Sequence, residues 1–210
     1  LLYDISNFEK PKLLSYLEMP EKINTLFVKN EKVFLASNKT LFLIVLKNTN
    51  MEIVSKINLE NNIPKEKIIG GIASYDNYIY LTIIGGSSPS RNLAIIDISE
   101  LEKPKLVKIF TPILDLMDSP CSSCWADFYR DLVVSGNFLF IGNYGQIECY
   151  DISDPENPKF YDRKHIGYQW SVGRVKNGYL YVPTLKGLFI LTIPTSSEYR
   201  NGKIELKYKK

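Results

Sequence analysis

Histidine is almost missing from this chain: His165 is the one copy in 210 residues. Any mechanism that needs an imidazole must use it. A Ser/His/Asp triad has no other histidine to draw on, and no Gly-x-Ser-x-Gly nucleophile elbow is present. Long apolar runs are missing too. The longest, residues 40–46, is of strand length, against the roughly 18–20 residues a membrane helix needs. Net charge is only +3, so no strong basic field argues for a nucleic-acid partner. Cysteine is limited to Cys121, Cys124 and Cys149, too few for a disulfide framework and silent on redox compartment. Helical periodicity is absent throughout. The first residue is Leu1 rather than Met, and it lies inside a repeated phrase. A chain that begins earlier is therefore expected, and the lack of a leader segment here is uninformative.

What is present is repetition. Residues 92–107, NLAIIDISELEKPKLV, read as an apolar strand ending in Asp-Ile-Ser, a turn, and Lys-Pro-Lys opening another strand. The phrase recurs at residues 2–14, LYDISNFEKPKLL, and at 148–160, ECYDISDPENPKF. Asp97 and Asp151 are 54 residues apart, and Asp4 and Asp97 are 93 apart, nearly two such periods. Worn copies complete the series: residues 40–47 with Val45 in the aspartate place, and 187–194 with Thr192 there. An apolar-aromatic phrase precedes each of the last four copies, introduced by Asn30-Glu31, Asp76-Asn77, Gly136-Asn137 and Asn177-Gly178. Asn, Asp and Gly supply the positive φ that a tight hairpin turn requires, and β-branched and aromatic residues on either side favour strand.

Each period divides into four strands, which in the best-defined unit are expected at residues 68–75, 78–83, 93–98 and 105–110. Strands two and three are apolar almost continuously instead of alternating, as suits a small sheet covered on both faces. Four-stranded sheets repeated at this period describe propeller blades. The expected fold is all-β: a β-propeller of four-stranded antiparallel blades, four complete and a half-blade of strands three and four at the N-terminus. The blades are placed at about 1–18 (partial), 22–60, 67–112, 131–166 and 168–210, with an insertion at 111–130. The half-blade implies that the N-terminal remainder of the propeller is a partner of this segment.

The motif resembles the LVIVD repeat, in which a strand of the type Leu-Val-Ile-Val-Asp runs into Ser-Asn-Pro and a further Pro. The residues that carry the likeness are Ala94–Ser99 with Pro104, Leu2–Ser6 with Pro11, and Tyr150–Pro155 with Pro158. The resemblance implies a bacterial or archaeal propeller, often exported or at the cell surface, with no general activity and no catalytic residues to carry over. The residues also have a plain physical reading. Asp4, Asp97 and Asp151 can accept backbone N–H bonds in the turn after strand three. Pro then opens the outermost strand, an edge that tolerates its missing N–H.

Chemistry is expected on the face that gathers the loops joining strands two to three and strand four to the next blade, because that face is irregular. Its largest irregularity, residues 111–130, holds Asp115, Asp118, Cys121, Cys124, Trp125 and Asp127. Cys121 and Cys124 can form a local disulfide, stay a thiol pair, or join His165 and an aspartate as metal ligands, although a structural zinc site needs four ligands and no second cysteine pair exists. Arg91, Trp125, Asp127, His165, Tyr168 and Trp170 are the candidate ligand-binding residues, each weighed against an ordinary surface or packing role. Gly85-Gly86 is not read as a phosphate loop, because no helix follows it. No cofactor is expected. The leading expectation is a non-enzymatic scaffold that presents this loop face to a protein or carbohydrate partner at the cell surface. The alternative is a small-molecule binder or enzyme working at the funnel mouth, with the insertion as a lid.

Overall fold

A computed structural model of the chain describes residues 1–85, 92–111, 131–143, 145–167, 171–193 and 208–209. Among these residues there is no helix, and all regular structure is antiparallel sheet. A two-stranded sheet comes first, β1 (Leu2–Asp4) with β2 (Lys12–Ser15). Four four-stranded sheets follow. The first is β3 (Thr25–Lys29), β4 (Lys32–Ala36), β5 (Thr40–Lys47) and β6 (Asn50–Asn58). The second is β7 (Ile68–Tyr75), β8 (Tyr78–Ile84), β9 (Asn92–Asp97) and β10 (Lys105–Phe110). The third is β11 (Leu132–Ser135), β12 (Phe138–Asn143), β13 (Gln146–Asp151) and β14 (Lys159–His165). The fourth is β15 (Arg174–Lys176), β16 (Tyr179–Thr184), β17 (Gly187–Thr192) and β18 (Tyr208–Lys209). Strand order in every sheet is sequence order. The innermost strands meet in succession, β3 against β7, β7 against β11 and β11 against β15, which fans the sheets about a common centre. The molecule is a β-propeller of four blades with a half-blade ahead of them.

The continuous apolar runs have the cause the sequence suggests. Successive side chains of a strand point to opposite faces. In β9, Ala94 and Ile96 pack with Phe34, Leu43 and Leu81 between the first and second blades. Leu93 and Ile95 pack with Leu139, Ile141 and Tyr150 between the second and third. Phe140, Cys149, Leu180 and Val182 fill the next junction. The third strands of the first three blades are thus buried on both sides and alternation disappears there, whereas in the fourth blade β17 keeps Leu188 exposed.

The repeat phrase holds one register throughout. Asp97 pairs Tyr78, Asp151 pairs Phe138, Val45 pairs Lys32 and Thr192 pairs Tyr179. The residue after each donates its N–H to the inner hairpin turn: Ile98 to Asn77, Ile152 to Asn137, Leu46 to Glu31 and Ile193 to Gly178; all but Leu46, which stays in β5, have left the strand. Val45 and Thr192 therefore do occupy the aspartate place. The strand bounds differ slightly from expectation. β9 ends at Asp97 because Ile98 turns away, β8 runs on to Ile84, and the half-blade strands are short. A β-bulge that no residue pattern announced lies in strand four of the second and third blades, skipping Val107 and Tyr161, with equivalents at Leu14 and Val54.

Candidate functional site

The two faces of the propeller are built differently. One carries the tight turns. Asn30, Asp76, Gly136 and Asn177 turn the inner hairpins with φ of 54°, 46°, 54° and 52°. On the same face, Asp4, Asp97 and Asp151 each accept the N–H of the serine two residues on, at 2.8 Å in all three. Those donors hold the Asp97 and Asp4 carboxyls below the ordinary carboxylate pKa. The turns also stitch blades together. The Tyr80 hydroxyl donates to the Pro155 carbonyl at 2.8 Å, Tyr78 to Glu156 at 2.9 Å and Tyr75 to Asn137 at 2.8 Å. The bond to Glu156 pushes the Tyr78 phenol up to about 12. This face is committed to holding the fold.

The opposite face carries polar groups that do not belong to the ladder. At the first blade, Glu21 accepts from both Ser37 and Thr40, the latter at 3.0 Å, and Asn24 Nδ2 donates to Asn38 Oδ1 at 2.7 Å. Beside them Lys39 Nζ donates to the Pro64 carbonyl at 2.6 Å. Lys67, leading into β7, is buried, and burial lowers its pKa against the opposing pull of Glu66. Gly70 and Gly71 bulge the start of β7, where the Gly71 N–H donates to Thr82 Oγ1 at 2.7 Å. A side chain at Gly70 would have to displace the Ile84 side chain, since its Cβ would stand 2.7 Å from Ile84 Cδ1.

Where the third and fourth blades meet, Asp131 precedes β11, Ser171 approaches β15, and Arg174 begins it. Ser171 Oγ donates to Asp131, and Arg174 Nη1 stands 3.6 Å from the same carboxylate. The Gly173 N–H donates to Ser171 Oγ at 3.0 Å, while Arg174 Nη1 donates to the Gly173 carbonyl at 2.9 Å. Gly173 has φ of 89°, and its Cβ would fall 1.8 Å from the Tyr181 carbonyl oxygen, so only glycine fits. The Arg174 side chain is largely exposed and keeps donors free of Asp131 and Gly173. The cluster can therefore offer a fixed cation, a hydroxyl and a carboxylate to a polar ligand.

Of the expected ligand residues, His165 is described and exposed. It is the last residue of β14, paired with Gln146, rather than the opening of a loop. Arg91, Trp125, Asp127, Tyr168 and Trp170 lie outside the described residues, as do Asp115, Asp118 and the Cys121–Cys124 pair. Cys149 is a buried free thiol whose pKa is pushed up by burial and by Asp162 and Asp151. Among the described residues no group of three or more His, Cys, Asp or Glu could hold a metal ion, and no helix is long and apolar enough to cross a membrane.

Three features escaped the sequence reading. Glu148 is fully buried inside β13, where it accepts from the Tyr150 hydroxyl at 2.9 Å and from Gln146 at 3.3 Å. A carboxylate within the run Gln-Ile-Glu-Cys-Tyr was the available signal. Lys67 gave no such signal, and neither did the Asp131–Ser171–Arg174 cluster, whose members come from two blades.

Residues 70–111 and 129–163 match the LVIVD repeat. No curated protein matches the sequence. Among solved structures, a functionally unknown protein from Desulfotomaculum acetoxidans is similar at a TM-score of 0.51 and 12% identity, over 92% of this chain and 71% of that one. Kluyveromyces lactis Hsv2 is similar at 0.50 and 14%, over 80% of this chain and 44% of that one. A luciferin-regenerating enzyme is similar at 0.52 and 12%, over 85% and 60%. The chain thus spans less than two thirds of the latter two. At these identities the likeness shows the fold.

Proposed function

We propose that this propeller of LVIVD repeats is a non-enzymatic scaffold that presents its irregular loop face to a protein or carbohydrate partner at the cell surface. The observation that carries the reading is the division of labour between faces. One face spends its turn residues on bonds within and between blades. The other holds a partly free guanidinium on Arg174, the exposed His165, and fixed hydrogen-bonding groups at Asp131, Ser171, Asn24 and Asn38. Polar side chains anchored on rigid strands suit a wet, hydrogen-bonded interface.

The test is a binding screen of immobilised oligosaccharides and purified cell-surface proteins, repeated with two variants. Arg174→Ala combined with His165→Ala is expected to weaken any hit by tenfold or more. Lys103→Ala, on the opposite face, is expected to leave it unchanged. Equal loss in both variants, or loss only in the Lys103 variant, overturns the assignment of the face.

A further inference from the structure

Arg174 and Asp131 stand side by side without using up each other's hydrogen-bonding capacity. Arg174 Nη1 lies 3.6 Å from the Asp131 carboxylate, beyond hydrogen-bond reach, and donates instead to the Gly173 carbonyl at 2.9 Å. Among the described residues Arg174 Nε and Nη2 donate to nothing, and the side chain is 80% exposed. On Asp131, Oδ2 takes the Ser171 hydroxyl, while Oδ1 has no donor among the described residues. The frame behind these groups is rigid. The Gly173 N–H holds Ser171 Oγ at 3.0 Å, and Gly173 itself lies against the Tyr181 carbonyl, an approach that any Cβ would block. The Ser171–Asp131 bond already joins the third and fourth blades. A largely exposed ion pair beside it adds little to stability, so holding the fold does not explain Arg174.

The free groups specify what they fit. Nε and Nη2 form one planar edge of the guanidinium, with two parallel N–H donors that match the two oxygens of a carboxylate. Asp131 Oδ1 is an acceptor in want of a donor, which a hydroxyl next to that carboxylate supplies. The Arg174–Asp131 pair is neutral as a whole, so it suits a ligand with one negative charge. A phosphate monoester carries about −1.5 to −2 charges and turns unprotonated oxygens towards Asp131. Like charges brought together in this way oppose binding.

We propose that the Asp131–Ser171–Arg174 cluster recognises a uronic-acid unit of an acidic oligosaccharide, with the sugar carboxylate on Arg174 and a neighbouring hydroxyl on Asp131. The inference rests on the loop-face reading above and narrows its partner to one class of carbohydrate. Arg174 supplies the attraction. Asp131 supplies the selectivity, since it accepts from a hydroxyl and repels a second negative charge. Ser171 positions Asp131 and does not itself touch the sugar.

The probes are trisaccharides of galactose and of glucose, each in four forms that differ only at C6: alcohol, carboxylate, methyl ester of the carboxylate, and phosphate monoester. Titration calorimetry on the whole chain is expected to show saturable binding of a carboxylate form, at least tenfold tighter than the alcohol, the ester and the phosphate. This comparison changes only the ligand, so it stays decisive if a variant folds poorly. Arg174→Lys keeps the charge and loses the fork, and should weaken the carboxylate at least fivefold. Asp131→Asn should cut the carboxylate-to-phosphate ratio at least fivefold. The proposal is overturned if the ester or the phosphate binds as well as the carboxylate, if no carboxylate form binds in either series, or if the two variants leave these values unchanged. A neutral oligosaccharide or a protein that binds and is lost in Arg174→Ala, with the carboxylates inert, overturns this inference and leaves the loop-face reading standing. Carboxylate binding that Lys103→Ala weakens and Arg174→Ala does not overturns both.

Discussion

Asp151 and Asp4 make the same bond in different surroundings. Each accepts a serine N–H at 2.8 Å, but Asp151 is buried whereas Asp4 is only half-buried. Removing a buried acceptor leaves its donor unpaired in a medium that cannot replace water, at about 1–3 kcal/mol. Asp151→Ala is expected to destabilise by that amount in urea unfolding, and Asp4→Ala by clearly less; equal losses contradict the account. The same bonds set an acid limit. Asp4, Asp97 and Asp154 titrate below their ordinary range because serine, asparagine and backbone donors favour the charged form. The folded state then binds protons less readily than the unfolded chain. The stabilisation is complete above about pH 4 and fades as pH falls through the lower folded values. Urea midpoints measured from roughly pH 6 down to pH 2.5 are expected to fall, and Asp97→Asn to flatten the decline. At this scale the aspartates were legible because an Asx turn needs only the next two residues. Lys67 was not, because nothing within a few residues of it says that it is buried, whereas for Glu148 the apolar run around it was the only hint.

Strands and turns follow local rules until the chain must pass close to itself. The inner hairpins were foreseen because Asn30, Asp76 and Asn177 sit where left-handed backbone is needed. Gly173 belongs to another case. Its backbone runs against the Tyr181 carbonyl, and a methyl group there meets an oxygen at 1.8 Å. Gly173→Ala is expected to lower stability by about 1–3 kcal/mol, through strain at positive φ and displacement of β15 from β16. It is also expected to weaken any ligand held by Arg174, since Arg174 Nη1 donates to the Gly173 carbonyl. Gly178→Ala, with nothing within 4 Å of its Cβ, is expected to cost less. Thermal melts of the two variants decide the point. The bulges in strand four were hidden for the same reason: a bulge concerns two strands at once, and no single residue marks it.

A propeller stands on contacts between sheets that are individually too thin to hold a core. Each junction is filled from both sides, and repeat arrays of this kind couple nearest neighbours. Leu81 is buried between the first and second blades, whereas Leu188 on the last blade is exposed. Leu81→Ala is expected to cost about 2–5 kcal/mol by opening a cavity, and Leu188→Ala to lie within about 0.5 kcal/mol of the parent. Equal effects contradict this account.

The period, the hairpin turns and the aspartate turns were determined by the sequence alone, since each is a contract between residues a few positions apart. So was the propeller itself, because an apolar strand repeated with such turns can bury both faces only by stacking sheets. Tertiary structure alone decided which polar groups meet. Asp131 and Ser171 are 40 residues apart and join only because neighbouring blades bring their inner strands together.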